Sequence, residues 1–571
     1  MVRLFKEEGD LLALSLGLDK AYYVEKSSML NEVENIYEDD MLNLLYDVYE
    51  NENLMKIGYD LKSDFRFLVS KKEGFRPANY YDLMIAYYSW TTSNGPFGLR
   101  DFATNYLGCD ICNEDETFIP TGKAKDRILV IDLGEEKRSK LLVEFFNAVS
   151  NGKDNMDAEF KQDADKGKLF TDIENPLVYV LAKIEATGIT VDTEELRNYS
   201  KDINDKLKVV TEKIYELAGE EFNISSPKQL GEILFTKLGI ESKKKTKTGM
   251  STSAETLEKL VDVHPIIPEI LSYRQLEKLR STYADGLFEY IKSDNKIHTT
   301  FTQVVTSTGR LSSTDPNLQN IPIRMELGRQ VRKAFVPKSE DYVFVDADYS
   351  QVELRIMAHM SGDQKLIEGY KSKEDIHKLT ASEVFGVPLD EVTKEQRSAA
   401  KAVNFGIIYG ISSFGLSEDI HVTKKEAQSY IEKYFEKYSR VKEYLDELVS
   451  SAEKTGCSKT LFGRMRKIDE IHSTNFMRKE FGKRAAMNSP IQGTAADIMK
   501  LAMVKFNDRI EKEKLDAKIL VQVHDELLVE CHKDIKEKVG AILEEEMEKA
   551  CELLVPLVAE VSYGSTWYET K

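Results

Sequence analysis

Residues 520–530 read Leu-Val-Gln-Val-His-Asp-Glu-Leu-Leu-Val-Glu, two apolar runs with a polar triplet between them. Short apolar runs interrupted in this way predict two strands joined through His524-Asp525-Glu526. A second stretch, residues 342–355, is apolar as far as Asp348 and hands over to a helix beginning near Ser350. A carboxylate at the end of a strand is rigidly held at a surface, which suits a metal ligand. Each segment taken alone has a plainer reading: Asp348 as a helix-capping acid, and the triplet as an ordinary turn.

A third stretch, residues 397–410, places Arg397, Lys401, Phe405 and Tyr409 at steps of four. Successive members of such a series precess only about 40° around a helix, so neighbours share a face. That face is basic at one end and aromatic at the other. Phosphate oxygens pair with Arg and Lys, and a flat ring offers a nucleobase a stacking surface. An amphipathic helix with a solvated cationic edge is the plainer alternative. Gly406, a poor helix former beside Phe405, points to close approach by something flat.

With 571 residues the chain exceeds what one hydrophobic core supports, which predicts several domains. No apolar run approaches the ~20 residues of a membrane helix, and the N-terminus has no secretory pattern, so a cytoplasmic protein with no membrane partner is expected. Five scattered cysteines predict no disulfide framework, and Cys109-x-x-Cys112 has no second pair with which to hold zinc. The net charge of −19 argues against a nucleic-acid partner only weakly. Residues 1–170 alone carry −11 of it, and a local cleft can still be positive. The polar segment 151–168 reads as a linker between a small α/β domain and a helix-patterned stretch over 175–218. Ser226-Pro227 reads as a helix start, 243–249 as a basic loop, and 253–293 as long helices followed by a β-rich stretch.

The three segments resemble motifs A, C and B, in the order given above, of the family A DNA polymerases, the bacterial DNA polymerase I family. Further matching blocks occur in order at 306–313, 315–322, 375–377 and 484–493, and the likeness runs closely over about 170–571. It is strongest to large fragments from Gram-positive bacteria. The implied fold is α/β and α+β multidomain: an RNase H-like exonuclease-type domain over 1–155, a linker over 156–170, and a right-hand polymerase over 171–571. Within the hand, the thumb covers about 197–295, the palm about 296–370 and 493–571, and the fingers about 371–492.

The resemblance implies DNA-templated 5′-3′ synthesis from dNTPs on primer-template DNA by a monomer. Asp348 and Asp525, with Tyr349, would hold two Mg²⁺ about 4 Å apart, with Mn²⁺ as a substitute. Glu526 would be an auxiliary acid and His524 a primer-end contact. Arg397, Lys401 and His377 would bind the triphosphate, with Lys401 also donating a proton to pyrophosphate. Phe405, Tyr409 and Gln351 would line the nucleotide pocket, and Glu353 would exclude a ribose 2′-hydroxyl. Phe405 in place of Tyr implies poor use of dideoxy terminators. Arg310, Asn317, Gln319, Arg484, Asn488 and Gln492 would touch the duplex near the primer end, and Arg274, Lys278 and the loop lysines its backbone.

Residues 1–155 depart from the proofreading pattern. No Asp-x-Glu precedes Leu11; Asp64 survives in the middle block; Tyr106-x-x-x-Asp110 has the third spacing but sits too early. One remaining carboxylate cannot hold two metals, so no proofreading is expected, and the family's 5′-nuclease domain is not expected either. The alternatives are a single-subunit RNA polymerase-like enzyme, which Glu353 argues against, and an inactive DNA-binding scaffold, which the intact Asp348, Asp525, Arg397 and Lys401 argue against.

Overall fold

The computed structural model describes residues 2–7, 10–14, 22–25, 38–92, 95–111, 135–241, 245–246, 249–323, 325–372 and 374–571. It divides into two compact units, each assembled from separate stretches of chain. The larger comprises Met1–Thr187, Phe301–Ser313 and Val345–Ser562; the smaller comprises Gly188–Thr300, Thr314–Phe344 and Tyr563–Lys571.

In the smaller unit, a helix over Thr193–Ala218 starts where the Asp192 carboxylate accepts from the Glu194 and Glu195 N–H groups, and stops at Gly219 in the left-handed region. Its apolar face (Leu196, Tyr199, Ile203, Leu207, Ile214) is buried, and the helix packs on Ile266–Leu279. The periodic stretch 175–218 is two helices rather than one. Gly188 takes φ 62 and the β-branched Ile189-Thr190-Val191 forms the middle strand of a three-stranded sheet. The expected long helices over 253–293 are likewise broken into Ala254–Glu258, Ile266–Leu279 and shorter turns after Leu279. Ser226 does start a helix, its hydroxyl accepting from Gln229 N–H. In the basic loop, Lys245–Thr246 pairs with Gly249–Met250; Lys243, Lys244 and Lys247 lie outside the described residues.

The N-terminal part of the larger unit is α/β in character. Strand Lys56–Gly58 runs parallel to Tyr80–Asp82, and helices Leu61–Lys71 and Leu83–Trp90 pack around an aromatic core of Tyr49, Phe65, Phe75, Tyr87 and Phe102. The apolar run Ile128–Asp132, which reads as a strand of the small α/β domain, lies outside the described residues. The expected linker is not a loop. Helices Glu135–Gln162 and Ala164–Lys168 run through it, Asp163 capping the second, with Met156 and Phe170 buried. Its many charges occupy the outward face of an amphipathic helix, so composition alone misreads it.

The rest of the larger unit is built on strand β1 (Tyr342–Tyr349, of which it holds Val345–Tyr349), helices α1 (Val352–Ser361), α2 (Ile376–Phe385) and α3 (Lys394–Ile408), the hairpin of β2 (Cys457–Lys459) and β3 (Met465–Lys467), helix α4 (Phe476–Lys512), and strands β4 (Ala517–Val523), β5 (Glu526–His532) and β6 (Ala559–Gly564, of which it holds Ala559–Ser562). The four long strands form one sheet in the order β4-β5-β1-β6. β4 and β5 pair antiparallel with Val523 opposite Glu526, leaving His524 and Asp525 as a two-residue loop. Among the described residues, no helix is long and apolar enough to cross a membrane.

Candidate active site

The apolar runs around 342–349 and 520–530 are adjacent strands, and their ends meet. The Tyr349 N–H donates to the Asp525 carbonyl (3.0 Å), and the Ser350 N–H donates to the Val558 carbonyl (2.8 Å). Asp348 therefore lies beside the β4–β5 loop that carries Asp525. Two non-glycine residues at this edge, His524 (φ 52) and Gln351 (φ 56), occupy the left-handed region. Such conformations cost of order 1–3 kcal/mol and persist where surrounding structure enforces them.

Burial raises the Asp525 carboxyl to about 6; the Arg310 guanidinium pulls it down, and the negative Glu353 and Asp348 push it up again. Carboxylates crowded at a strand end favour a hard divalent cation, which accepts oxygen ligands and cancels the repulsion. The residues fit such an ion as a pair completed by other oxygens: among the described residues, no group of three or more His, Cys, Asp or Glu side chains could hold a metal. The Tyr349 hydroxyl donates to the Met547 carbonyl (2.6 Å), which leaves its main-chain carbonyl as the group a cation could use. Glu526 is buried at the first position of β5.

Glu353, on the first turn of α1, is a buried hub. Its Oε1 accepts from Arg310 (2.8 Å) and its Oε2 from the Tyr409 hydroxyl (2.7 Å). Gln492 on α4 hydrogen-bonds the same hydroxyl, whose pKa is raised by burial and by the neighbouring Glu353. Gln351 accepts from the Tyr370 hydroxyl (3.1 Å), and Arg355, stacked on that ring, donates to the Ser350 and Pro556 carbonyls.

Helix α3 starts with a reciprocal cap between Thr393 and Gln396. Arg397 and Lys401 are exposed on it, Phe405 is half-buried, and Tyr409 caps its C-terminus. Arg397 Nε donates to Asp375 (2.6 Å), whose other oxygen caps α2 by accepting from His377 and Lys378 N–H. His377 faces this helix, its ring 5.9 Å from that of Phe405. Asn404 Oδ1 accepts from Thr380, so its amide nitrogen donates to His377 Nδ1 (2.9 Å) and the ring proton resides on Nε2. Burial lowers the imidazole to about 4, the nearby Arg397 and Lys401 adding to the effect against Asp375.

On α4, Arg484 and Met487 pack against Gly410, which follows Tyr409; a Cβ there would lie 2.6 Å from Met487 and 2.9 Å from Arg484. Asn488 Oδ1 is buried with no hydrogen-bond partner among the described residues. The remaining expected contacts belong to the smaller unit. Asn317 uses its carbonyl to cap the turn holding Gln319, Arg274 donates to the Thr252 carbonyl, and Lys278 lies in the last turn of Ile266–Leu279.

Two functional supports escaped the sequence: Asn404, which sets the His377 tautomer, and Asp375 in its role as the Arg397 partner. Asn404 lies three positions after Lys401 on the buried side of α3, and a buried amide on an apolar face is the one signal that could have flagged it.

The model of DNA polymerase family A matches residues 193–569. DNA polymerase I of Caldicellulosiruptor bescii is 46% identical over 529 residues, covering 92% of this chain and 59% of that protein. The Bacillus subtilis DNA polymerase I is 45% identical over 492 residues, covering 86% and 55%. The chain thus spans less than two thirds of the length of these curated relatives. A solved structure, the POL domain of Pol1 from M. smegmatis in complex with DNA primer-template and dNTP, is 35% identical with a TM-score of 0.85, covering 96% of this chain and 91% of that one. The fold around the paired aspartates is that of a Pol I polymerase domain, and the chain belongs to DNA polymerase family A.

Proposed function

We propose that this chain extends a DNA primer on a DNA template, joining a deoxynucleotide to the primer 3′-hydroxyl with release of pyrophosphate. The observation that carries this reading is the Tyr349 N–H to Asp525 carbonyl bond, which brings the carboxylate at the end of β1 and that of the β4–β5 loop to one edge of the sheet. Asp348, Asp525 and the Tyr349 carbonyl would hold Mg²⁺ ions, or Mn²⁺ in their place, which when bound neutralise the triphosphate and make the primer hydroxyl a better nucleophile.

The chain's own groups do the rest. Arg397 and Lys401 grip the triphosphate oxygens, and Lys401 Nζ gives a proton to the departing pyrophosphate. His377 stays neutral at working pH and donates from Nε2–H to the same phosphates. Phe405 packs on the incoming sugar and base, and Tyr409 closes the template side of the pocket. Glu353 is pinned from two sides by Arg310 and Tyr409, so it cannot swing away from an added 2′-hydroxyl. Arg310 and Gln492 offer donors to the minor-groove face of the terminal pair, whose acceptors sit in similar places in every correct pair, and Asn488 stands beside them on α4.

The reading excludes 3′-5′ excision. Asp64, the surviving carboxylate of that pattern, is buried and receives the Tyr49 hydroxyl at 3.0 Å. Incubating a primer with a mismatched 3′ end, Mg²⁺ and no dNTP is expected to leave its length unchanged; release of the terminal nucleotide would overturn this part.

Primer extension tests the whole. Asp525→Ala and Asp348→Ala are each expected to lower the rate about a thousandfold, on the scale of losing a group that stabilises transition-state charge. Wild-type protein that extends no primer, or alanine variants as active as wild type, would refute the assignment. Glu353→Ala is expected to raise the rNTP/dNTP incorporation ratio about a hundredfold, a pocket's usual discrimination against one hydroxyl; an unchanged ratio removes the gate role. For His377, a folded pKa of about 4 against 6.5 unfolded contributes stability that is complete above pH 6.5 and fades as pH falls toward 4. Urea unfolding at pH 7 and pH 5 should therefore differ less in His377→Gln than in wild type, and an equal difference in both would count against a neutral buried imidazole.

A further inference from the structure

Away from the reacting groups, the larger unit buries four charged side chains together. Glu174 ends the helical turn Leu169–Glu174; Arg464 lies in the β2–β3 hairpin; Asp497 and Lys500 are one turn apart on α4. Glu174 Oε1 accepts from both Lys500 (2.6 Å) and Arg464, and its Oε2 accepts from Gln303 (2.6 Å). Asp497 Oδ1 accepts from Arg464 Nε (3.0 Å) and Nη2 (2.6 Å), and Oδ2 from the Thr460 hydroxyl (3.0 Å). The Tyr88 ring lies 5.4 Å from the guanidinium and 5.9 Å from the ammonium. Two anions and two cations balance. A buried ionic set of this kind gains little over well-packed apolar residues, so stability alone is a weak reason for one; fixing a geometry is a better one.

The geometry it fixes is visible at Gly309. This residue, at φ 83, lies so close to Arg464 that a Cβ would sit 2.4 Å from Nε and 2.9 Å from Cζ. Gly493 on α4 closes the same turn from another side, where a Cβ would meet Thr460 at 2.5 Å and the Thr308 carbonyl at 3.1 Å. The next residue in the turn is Arg310, whose main-chain carbonyl accepts from Thr306 Oγ1 and whose guanidinium pairs with Glu353. We infer that Arg464 is a positioning residue: locked by Glu174 and Asp497, its guanidinium forms the platform on which the Gly309 turn rests, and so sets where Arg310 stands against Glu353 and the primer end. The inference rests on the polymerase reading above. Lysine cannot replace this arginine in the role, because an ammonium keeps the charge but lacks the flat fork that both spans the two carboxylates and lies against the glycine.

A double-mutant cycle of Arg464→Lys with Arg310→Ala, read as kcat and KM for dNTP in primer extension, tests it. Arg464→Lys is expected to lower kcat about tenfold with KM for dNTP little changed, and Arg310→Ala is expected to cost almost nothing further in that background, since coupled residues are not additive. Thr460→Val, which removes the hydroxyl that donates to Asp497 and accepts from the Arg464 N–H, is expected to give a milder loss that disappears in the Arg310→Ala background, and decides the matter should Arg464→Lys fail to fold by circular dichroism. Losses that multiply, in whichever variant folds, mean that Arg464 does not act through Arg310 and overturn the inference while leaving the polymerase reading intact. A wild-type chain that extends no primer removes both.

Discussion

One main-chain hydrogen bond, Tyr349 N–H to the Asp525 carbonyl, joins the two halves of the site. It is a sheet bond, so the distance between Asp348 and the Asp525 loop is set by strand register rather than by side-chain flexibility. A slip of one residue would turn Asp348 to the opposite face. The pleat therefore holds the Asp348 carboxylate beside the short loop that carries Asp525. Burial first, and the neighbouring Glu353 and Asp348 after it, raise the Asp525 carboxyl to about 6 against the pull of Arg310, and His524 and Gln351 around it take left-handed backbone.

Around that edge the supporting groups are fixed in chains rather than singly. Arg310, Glu353, Tyr409 and Gln492 form one hydrogen-bonded series across four chain segments, and Asp375, Arg397, His377, Asn404 and Thr380 form a polar cluster joining α2 to α3. In both, a buried polar group is satisfied by another that also faces the nucleotide pocket of the proposed reaction. This preorganises the pocket without a rigid apolar wall.

The sequence made the elements of the candidate site legible where a period carried them. The apolar runs on either side of Asp525 and before Asp348 read as strands and are strands, and the four-residue steps from Arg397 to Phe405 mark one face of α3, with Tyr409 at its cap. It failed where a short element interrupts a long pattern, as Ile189–Val191 does between two helices: three residues are too few to break a periodicity spread over forty. It failed again over 151–168, where charges on an outer face outnumber the few buried residues, Gly152 and Met156, that make the segment helical. The buried Glu174–Arg464 pair was beyond reach altogether, since its partners stand 290 positions apart and no periodicity links them.

Helix α4 runs 37 residues, about 55 Å, without interruption even at Pro490. Along it stand Arg484, Asn488 and Gln492 toward the proposed primer end, Gly493 against the Thr308 turn, and Asp497 and Lys500 in the buried ionic set. Each residue added to or removed from a helix rotates everything beyond it by about 100°. Between Arg484 and Lys500 the residue count is therefore fixed: one codon gained or lost there would rotate the residues on one side of the change out of register with those on the other, parting Arg484, Asn488 and Gln492 from the buried ionic set even where the helix itself still forms.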